Sequence, residues 1–241
     1  MANMETRSIA QFVWNGLRRV IGRCGRPLEQ LRRYQAVREL AQRQQPLNVM
    51  LGAGPVAVSG WVSTDVATLN VASPRAWKRI FVPDSIDRLL AEHLFEHLSD
   101  GACGIAFEEC FRYLKPGGLL RIAVPDGNRK DAEYVAEVSP PNDGHQQLFT
   151  VDDLVQRLVR TGFEVTPLEY YDAREDFHCH PWDEADGLIR RSARHDRQVR
   201  FKRGALYYTS LIVDARKPRA QGEGSGDTPS VNSPVGTRGE H

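Results

Sequence analysis

No run of about 18 apolar residues occurs in the chain, so no stretch of it can cross a membrane as a helix. The four cysteines (Cys24, Cys103, Cys110 and Cys179) never fall in Cys-x-x-Cys spacing. That argues against a zinc knuckle and against a disulfide framework, and fits a reduced, cytoplasmic protein. The first residues, MANMETRSIAQFVW, lack a long apolar stretch and a small-residue cleavage site, so no secretory signal is expected. No internal repeat is visible. A net charge of only +1 over 241 residues gives no reason to expect a nucleic-acid partner. A hydrophobic content of 41% with 26% charged residues is ordinary for a globular domain that buries a real core.

The charge is unevenly spread. Residues 1–45 hold nine arginines against three glutamates, a net +6, so the remainder is acidic. Over 7–24, Ile9, Phe12, Val13, Leu17, Val20, Ile21 and Cys24 recur at helical spacing, with Arg18, Arg19 and Arg23 off that face. Such a basic amphipathic helix either docks on the domain or lies against an anionic membrane surface. A second helix is predicted after Gly25-Arg26-Pro27, with Leu28, Leu31, Tyr34, Val37 and Leu40 as its apolar stripe. At the other end, residues 217–241 carry almost no large apolar side chain and read as a disordered tail.

Between these ends the pattern alternates. Strands are predicted at 47–51, 61–65, 87–91, 118–124, 163–170 and 206–214, and helices around 93–98, 103–115 and 150–161. Thr150 and Asp153 form a Thr-x-x-Asp opening for the last helix, and Gly162 closes it. Strands alternating with helices indicate an α/β fold with a mostly parallel sheet covered on both faces.

The stretch LNVMLGAGPVAVSGWVSTD (47–65) is a strand stopping at Gly52-Ala53-Gly54, then a strand stopping at Asp65. Glycines let a backbone approach a ligand, and an acid at a strand end suits ribose hydroxyls. Only eight residues separate Gly52 from Trp61, too few for the usual crossover helix. A dinucleotide needs such a helix for its pyrophosphate, whereas a nucleoside without phosphates does not. A nicotinamide oxidoreductase is therefore disfavoured, and the third glycine of its fingerprint is missing.

The later segments SIDRLLAEHLFEHLS (85–99) and FEECFRYLKPGGLLRIAVPD (107–126) complete a pattern. With the glycine loop and Asp65, it resembles the class I S-adenosylmethionine-dependent methyltransferases, most of all their bacterial small-molecule branch. HPWDEADGLIRRSARHD followed by LYYTSLIVDARKP is similar to a group of predicted methyltransferases. The resemblance covers about 47–215. It implies a Rossmann-like methyltransferase sandwich with an antiparallel last strand, preceded by N-terminal helices. It divides the chain into a basic helical extension (1–45), a methyltransferase-like domain (46–216) and the tail. It also implies S-adenosylmethionine as cofactor, with Gly52 and Gly54 near its methionine part and Asp65 on the ribose. Glu92 and His93 would line cofactor and acceptor. Val56 stands where a third glycine often sits in the family.

Methyl transfer is a displacement at an activated carbon, so the protein mainly aligns the acceptor, excludes water and, for a protonated oxygen or nitrogen, supplies a base. His93, Asp126 and His145, each expected beyond a strand end, are the candidates; Asp126 reads equally well as a turn cap. Glu96 and His97, a turn after His93, are read as structural. The long connection 173–205 is expected to hang over the active edge, with Trp182 as an aromatic wall and Arg190 or Arg191 for an anionic acceptor group. His178-x-His180 with Asp183 lacks further ligands at fixed spacing, so no metal is expected. The function this points to is methylation of a small-molecule or glycan-like acceptor. The competing reading is a methyltransferase-like module without catalysis that binds through the basic N-terminal helix.

Overall fold

A computed structural model describes residues 29–54, 56–195 and 210–219. The amphipathic helix expected over 7–24 lies outside these residues, as does the tail from 220 onward. Among the described residues no helix is long and apolar enough to cross a membrane.

The first helix, α1 (29–43), leans on the domain through Val37 and Ala41, and the Tyr34 hydroxyl donates to the Arg79 carbonyl at 2.6 Å. Its predicted stripe is only partly used, because Leu31 and Leu40 are exposed. Strand β1 (Asn48–Leu51) then pairs in parallel with the short β2 (Val62–Ser63) and with β3 (Ile86–Glu92). β4 (Leu114–Val124) lies parallel to β3. β5 (Glu164–Tyr171), β6 (Phe177–Cys179) and β7 (Leu211–Arg216) complete a seven-stranded mixed sheet in the order β2-β1-β3-β4-β7-β5-β6. β7 runs antiparallel between β4 and β5. The expected antiparallel last strand is therefore present, shifted to 211–216. β6 was not expected; it forms a hairpin on β5, with Tyr171 opposite Phe177.

Helix α2 (Pro74–Ile80), also missed by periodicity, buries Trp77 and stacks it on Tyr113 at 5.3 Å. α3 (Asp100–Tyr113) opens with the Ser99 hydroxyl accepting from the Ala102 N–H, and ends two residues earlier than predicted because Leu114 already turns extended. The Lys-Pro-Gly-Gly turn shows why. Pairing jumps from Ile86–Leu114 to Arg88–Leu119, so 115–118 bulge out of the ladder. Gly118 is required there, since a Cβ would lie 2.8 Å from the Lys115 carbonyl oxygen. α4 (Ala132–Val138) is capped by Asp131. α5 (Val151–Thr161) is capped by the Thr150 hydroxyl on the Asp153 N–H and closed by left-handed Gly162, as the sequence indicates. Lys217 is docked rather than loose: its ammonium donates to Asp84 and to the carbonyls of Phe111 and Leu114.

Strand side chains alternate between faces, and the two faces are covered differently. Leu51, Leu89, Leu120, Ile122, Val124 and Val213 join one core with buried side chains of α1, α2, α3 and α5. Leu90, Ala123, Leu168 and Ile212 point the other way, onto Ile189 and Trp182. Among the described residues, the second face is covered by segment 182–193, whose regular part is the 3-10 turn Glu184–Asp186. No helix intervenes between β1 and β2 among the described residues, in line with the short spacing there.

Candidate functional site

β1 ends at Leu51, and Gly52 and Gly54 both take left-handed backbone, with φ of +65° and +56°. Only glycine adopts this at little cost. At Gly52 the space also demands it, because a Cβ would come within 2.9 Å of Leu94 Cδ1. The Ala53 N–H donates to the Thr64 carbonyl at 2.7 Å, and the Thr64 N–H to the Met50 carbonyl at 2.9 Å. These bonds bring Asp65 beside the glycine loop. Its Oδ1 accepts from the Ala67 and Thr68 N–H groups and the Thr68 hydroxyl, closing a local turn. Among the described residues, its Oδ2 faces the Arg33 guanidinium at 3.9 Å.

A cavity of about 210 Å³ opens between the glycine loop, Trp61, Leu90 and Glu92 on one side and Glu184, Ala185, Leu188 and Arg190 on the other. Small-molecule pockets usually run from about 300 Å³ upward. The cavity is narrow because 182–193 presses down on the sheet: Gly187 packs against Leu90 and Trp61.

At the tip of β3, Glu92 Oε1 accepts the Arg191 N–H at 2.8 Å. His93 follows in left-handed backbone, φ +55°, a strained conformation for a non-glycine residue. Several contacts hold it there. Its Nδ1 is 2.9 Å from Glu96 Oε1 and 3.3 Å from an Arg191 Nη1, and its Nε2 is 2.9 Å from the Ser210 hydroxyl. A guanidinium can only donate, so Nδ1 accepts from Arg191 here and the ring proton lies on Nε2, toward the Ser210 hydroxyl; the Glu96 carboxylate stands beside Nδ1 without a hydrogen bond. The structure therefore brings together Gly52, Gly54, Glu92, His93, Arg190 and Arg191, with Asp65 alongside.

The remaining candidates sit elsewhere. Asp126 is buried, and both its oxygens are taken: Oδ1 accepts from the Asn128 N–H and Oδ2 from the Tyr171 N–H. It ties the end of β4 to β5, which is the turn-cap alternative. Burial pushes its carboxyl up to about 6, against the two N–H groups and Arg129, which favour the anion. His145 is buried as well, with Nδ1 2.7 Å from the Val138 carbonyl oxygen. Trp182 does not line the cavity. Its indole N–H donates to Glu169 Oε1, and its ring packs on the second face of the sheet. The connection expected over the active edge is thus split: its first part is β6, and its middle lies flat on the sheet.

Three residues that hold this arrangement were not singled out from the sequence. Arg121, in the middle of GLLRIAV, is buried and pairs bidentately with Asp214 at 2.7 and 2.9 Å. Glu169 accepts from Trp182 and from the Ala193 N–H. Ser210 completes the His93 contacts. A charge inside an apolar strand was the visible signal for Arg121; nothing comparable marked Ser210.

No curated protein matches the chain significantly. Among solved structures, a SAM-dependent methyltransferase from Thermotoga maritima aligns at 16% identity over 85% of this chain and 99% of its own, with a TM-score of 0.39. One from Archaeoglobus fulgidus aligns at 13% over 76% and 94%, with a TM-score of 0.43. One from Mesorhizobium loti aligns at 15% over 76% and 96%, with a TM-score of 0.41. Family membership rests on none of these. Residues 28–168, more than half of the chain, match the family described as methyltransferase domain. With a glycine loop, a strand-end acid and an antiparallel last strand in the expected order, the chain belongs to the class I S-adenosylmethionine-dependent methyltransferases.

Proposed function

We propose that the enzyme methylates a proton-bearing oxygen or nitrogen of a small-molecule or glycan-like acceptor, and that His93 takes the proton. When bound, S-adenosylmethionine supplies a methyl carbon made electrophilic by the sulfonium. The residues present fit that cofactor. Gly52 and Gly54 leave backbone exposed where a side chain would stand in the way. Asp65 offers the ribose hydroxyls an acceptor oxygen, Oδ2, whose partner oxygen is already fixed by its own turn. The Glu92 carboxylate, on the cavity wall, suits the cofactor's positive groups. Glu184, Leu188 and Arg190 form the opposite wall of the cavity.

The observation that carries the reading is the His93–Glu96 pair. The buried Glu96 carboxylate, 2.9 Å from Nδ1, stabilises the imidazolium that forms when the ring accepts a proton. With the acceptor at Nε2 in place of the Ser210 hydroxyl, the resting ring proton sits on Nδ1 beside Glu96 and Nε2 takes the acceptor's proton. Strain stored at His93, in a backbone conformation fixed by its neighbours, supports a functional role.

The test begins with labelled cofactor and fractionated cell extract, to obtain an acceptor. With that acceptor, His93→Gln should lower kcat by about 10²–10⁴-fold, the usual worth of a positioned base. Cofactor affinity, measured by calorimetry, should change little. A variant with undiminished kcat would show that the acceptor loses its proton elsewhere.

A further inference from the structure

Where β3 runs out, three metal-capable side chains converge on one spot, of which the proposed proton transfer uses Glu96 alone. Glu96 and His97 lie in the single 3-10 turn after β3 (Phe95–His97), and His145 arrives from the loop behind Asn142–Gly144. One ligand-capable atom from each lies within 4.8 Å of the others.

Three features distinguish this cluster from a chance grouping. Glu96 is 0% exposed; its Oε1 lies 2.9 Å from His93 Nδ1, and neither of its oxygens has a hydrogen-bond partner among the described residues. An unpartnered, buried carboxylate oxygen is costly, and a cation is a partner that removes the cost. His145 is 5% exposed, and its Nδ1 sits on the Val138 carbonyl at 2.7 Å. That bond puts the proton on Nδ1 and leaves the lone pair on Nε2, as the outer hydrogen bond of a metal-binding histidine does. Finally, the two ligand-bearing segments are bonded to each other. The Gln146 N–H donates to the Glu96 carbonyl at 2.7 Å, and the Gln146 side-chain amide to the His97 carbonyl at 2.8 Å. The His97 and His145 rings meet edge-on at 4.9 Å.

We propose that Glu96, His97 and His145 form a site for one divalent transition-metal cation, best matched by Zn²⁺. Two imidazole nitrogens and one carboxylate oxygen suit Zn²⁺, whereas Mg²⁺ and Ca²⁺ prefer oxygen ligands throughout. Three protein ligands leave a coordination position open, as in catalytic rather than structural zinc sites. With metal–ligand bonds of about 2.0–2.2 Å, neighbouring ligand atoms on a tetrahedral ion stand roughly 3.4 Å apart. The cluster must therefore draw in by about 1.4 Å from its widest spacing, and half-buried His97 is the ligand with room to move. The site differs from the His178-x-His180 pair considered from sequence, where His178 is already engaged by Asp172 at 2.9 Å. It shares Glu96 with the assignment of His93 as base, but the two are tested separately, because binding is measured with neither cofactor nor acceptor present.

The full-length protein, stripped with a chelator and dialysed, is titrated with Zn²⁺ by calorimetry and followed by thermal melting. One equivalent should bind and raise the melting temperature. Co²⁺ in its place should give the visible absorption of a low-coordinate site. His97→Ala, at a half-buried position, should melt as the wild type does without metal and lose at least tenfold in affinity. His145→Ala should do the same if it folds, and His180→Ala, at an exposed position outside the cluster, should bind normally. No saturable heat and no metal-dependent stabilisation of the wild type would overturn the proposal. So would affinity that survives His97→Ala unchanged, which would place the metal on other groups.

Discussion

Replacing Arg121 with methionine tests what holds segment 182–193 on the sheet. The guanidinium is 1% exposed and makes four bonds. Nε and Nη2 engage the two Asp214 oxygens, and Nη1 donates to the carbonyls of Asp183 and Gly187 at 2.6 and 2.8 Å. Its carbon centre lies 4.8 Å from the Trp182 ring centroid. One side chain thus joins β4, β7 and the covering segment. Arg121→Met leaves Asp214, only 18% exposed, without its cation, which costs about 3–5 kcal/mol. In the double variant Arg121→Met/Asp214→Leu the orphaned charge is gone. What remains is the loss of two charge-assisted bonds to carbonyls, about 3–6 kcal/mol in total. Urea unfolding of wild type, both single variants and the double variant gives the coupling directly. Because the segment supplies Glu184, Leu188 and Arg190 to the cavity wall, cofactor affinity should fall in the Arg121→Met variant, and proteolysis between 182 and 193 should accelerate. A loss below about 1 kcal/mol for Arg121→Met would refute a buried anchor, because that is the range of solvated surface pairs. A double variant no more stable than the single would show that the orphaned carboxylate is not what the substitution exposes.

Two further expectations follow from the site. Asp65→Asn keeps an oxygen for the local turn and removes the anionic Oδ2; cofactor binding should weaken by about 1.5–3 kcal/mol, measured by calorimetry, and unchanged affinity would remove Asp65 from the site. Asp126 titrates near 6 in the fold against an ordinary 3.8, so the fold favours its protonated form. Its contribution is therefore fully present below pH about 4 and lost as pH rises through 6, by roughly 3 kcal/mol at 1.36 kcal/mol per pKa step. The stability difference between wild type and Asp126→Asn, followed from pH 4 to 8, should shift against the wild type by that amount, and a flat difference would show that Asp126 is not raised.

Local chemistry was legible along the chain. The strand–glycine–strand–acid order around 47–65, the cap at Thr150 and Gly162, and the missing crossover helix each depend on residues close in sequence, and each is found as read. Backbone conformation is a short-range property, so neighbouring residues reveal it. Helix α2 and strand β6 escaped because both are short, and pairing and burial rather than periodicity create them. The stripe on α1 was legible as a helix but not as a face, since Leu31 and Leu40 meet solvent.

The site divides in the same way. Gly52, Gly54, Asp65, Glu92 and His93 follow strand ends, and a parallel sheet places strand ends together whatever lies between them. That Trp182 packs on a sheet face, and that Asp126 is used up as a tie, depends on which segment covers which surface. Such contacts join residues far apart in the chain, and no local pattern encodes their pairing. The partnership of Glu96 and His97 with His145, and of His93 with Ser210, 117 positions away, exists only because two loops meet beyond the ends of β3 and β4. Residue types, and the succession along the chain of every strand but β6, came from the sequence alone. The tertiary structure decided which of those side chains face a cavity, which are buried ties, and which stand close enough to act together, because burial and distance are properties of the packed chain.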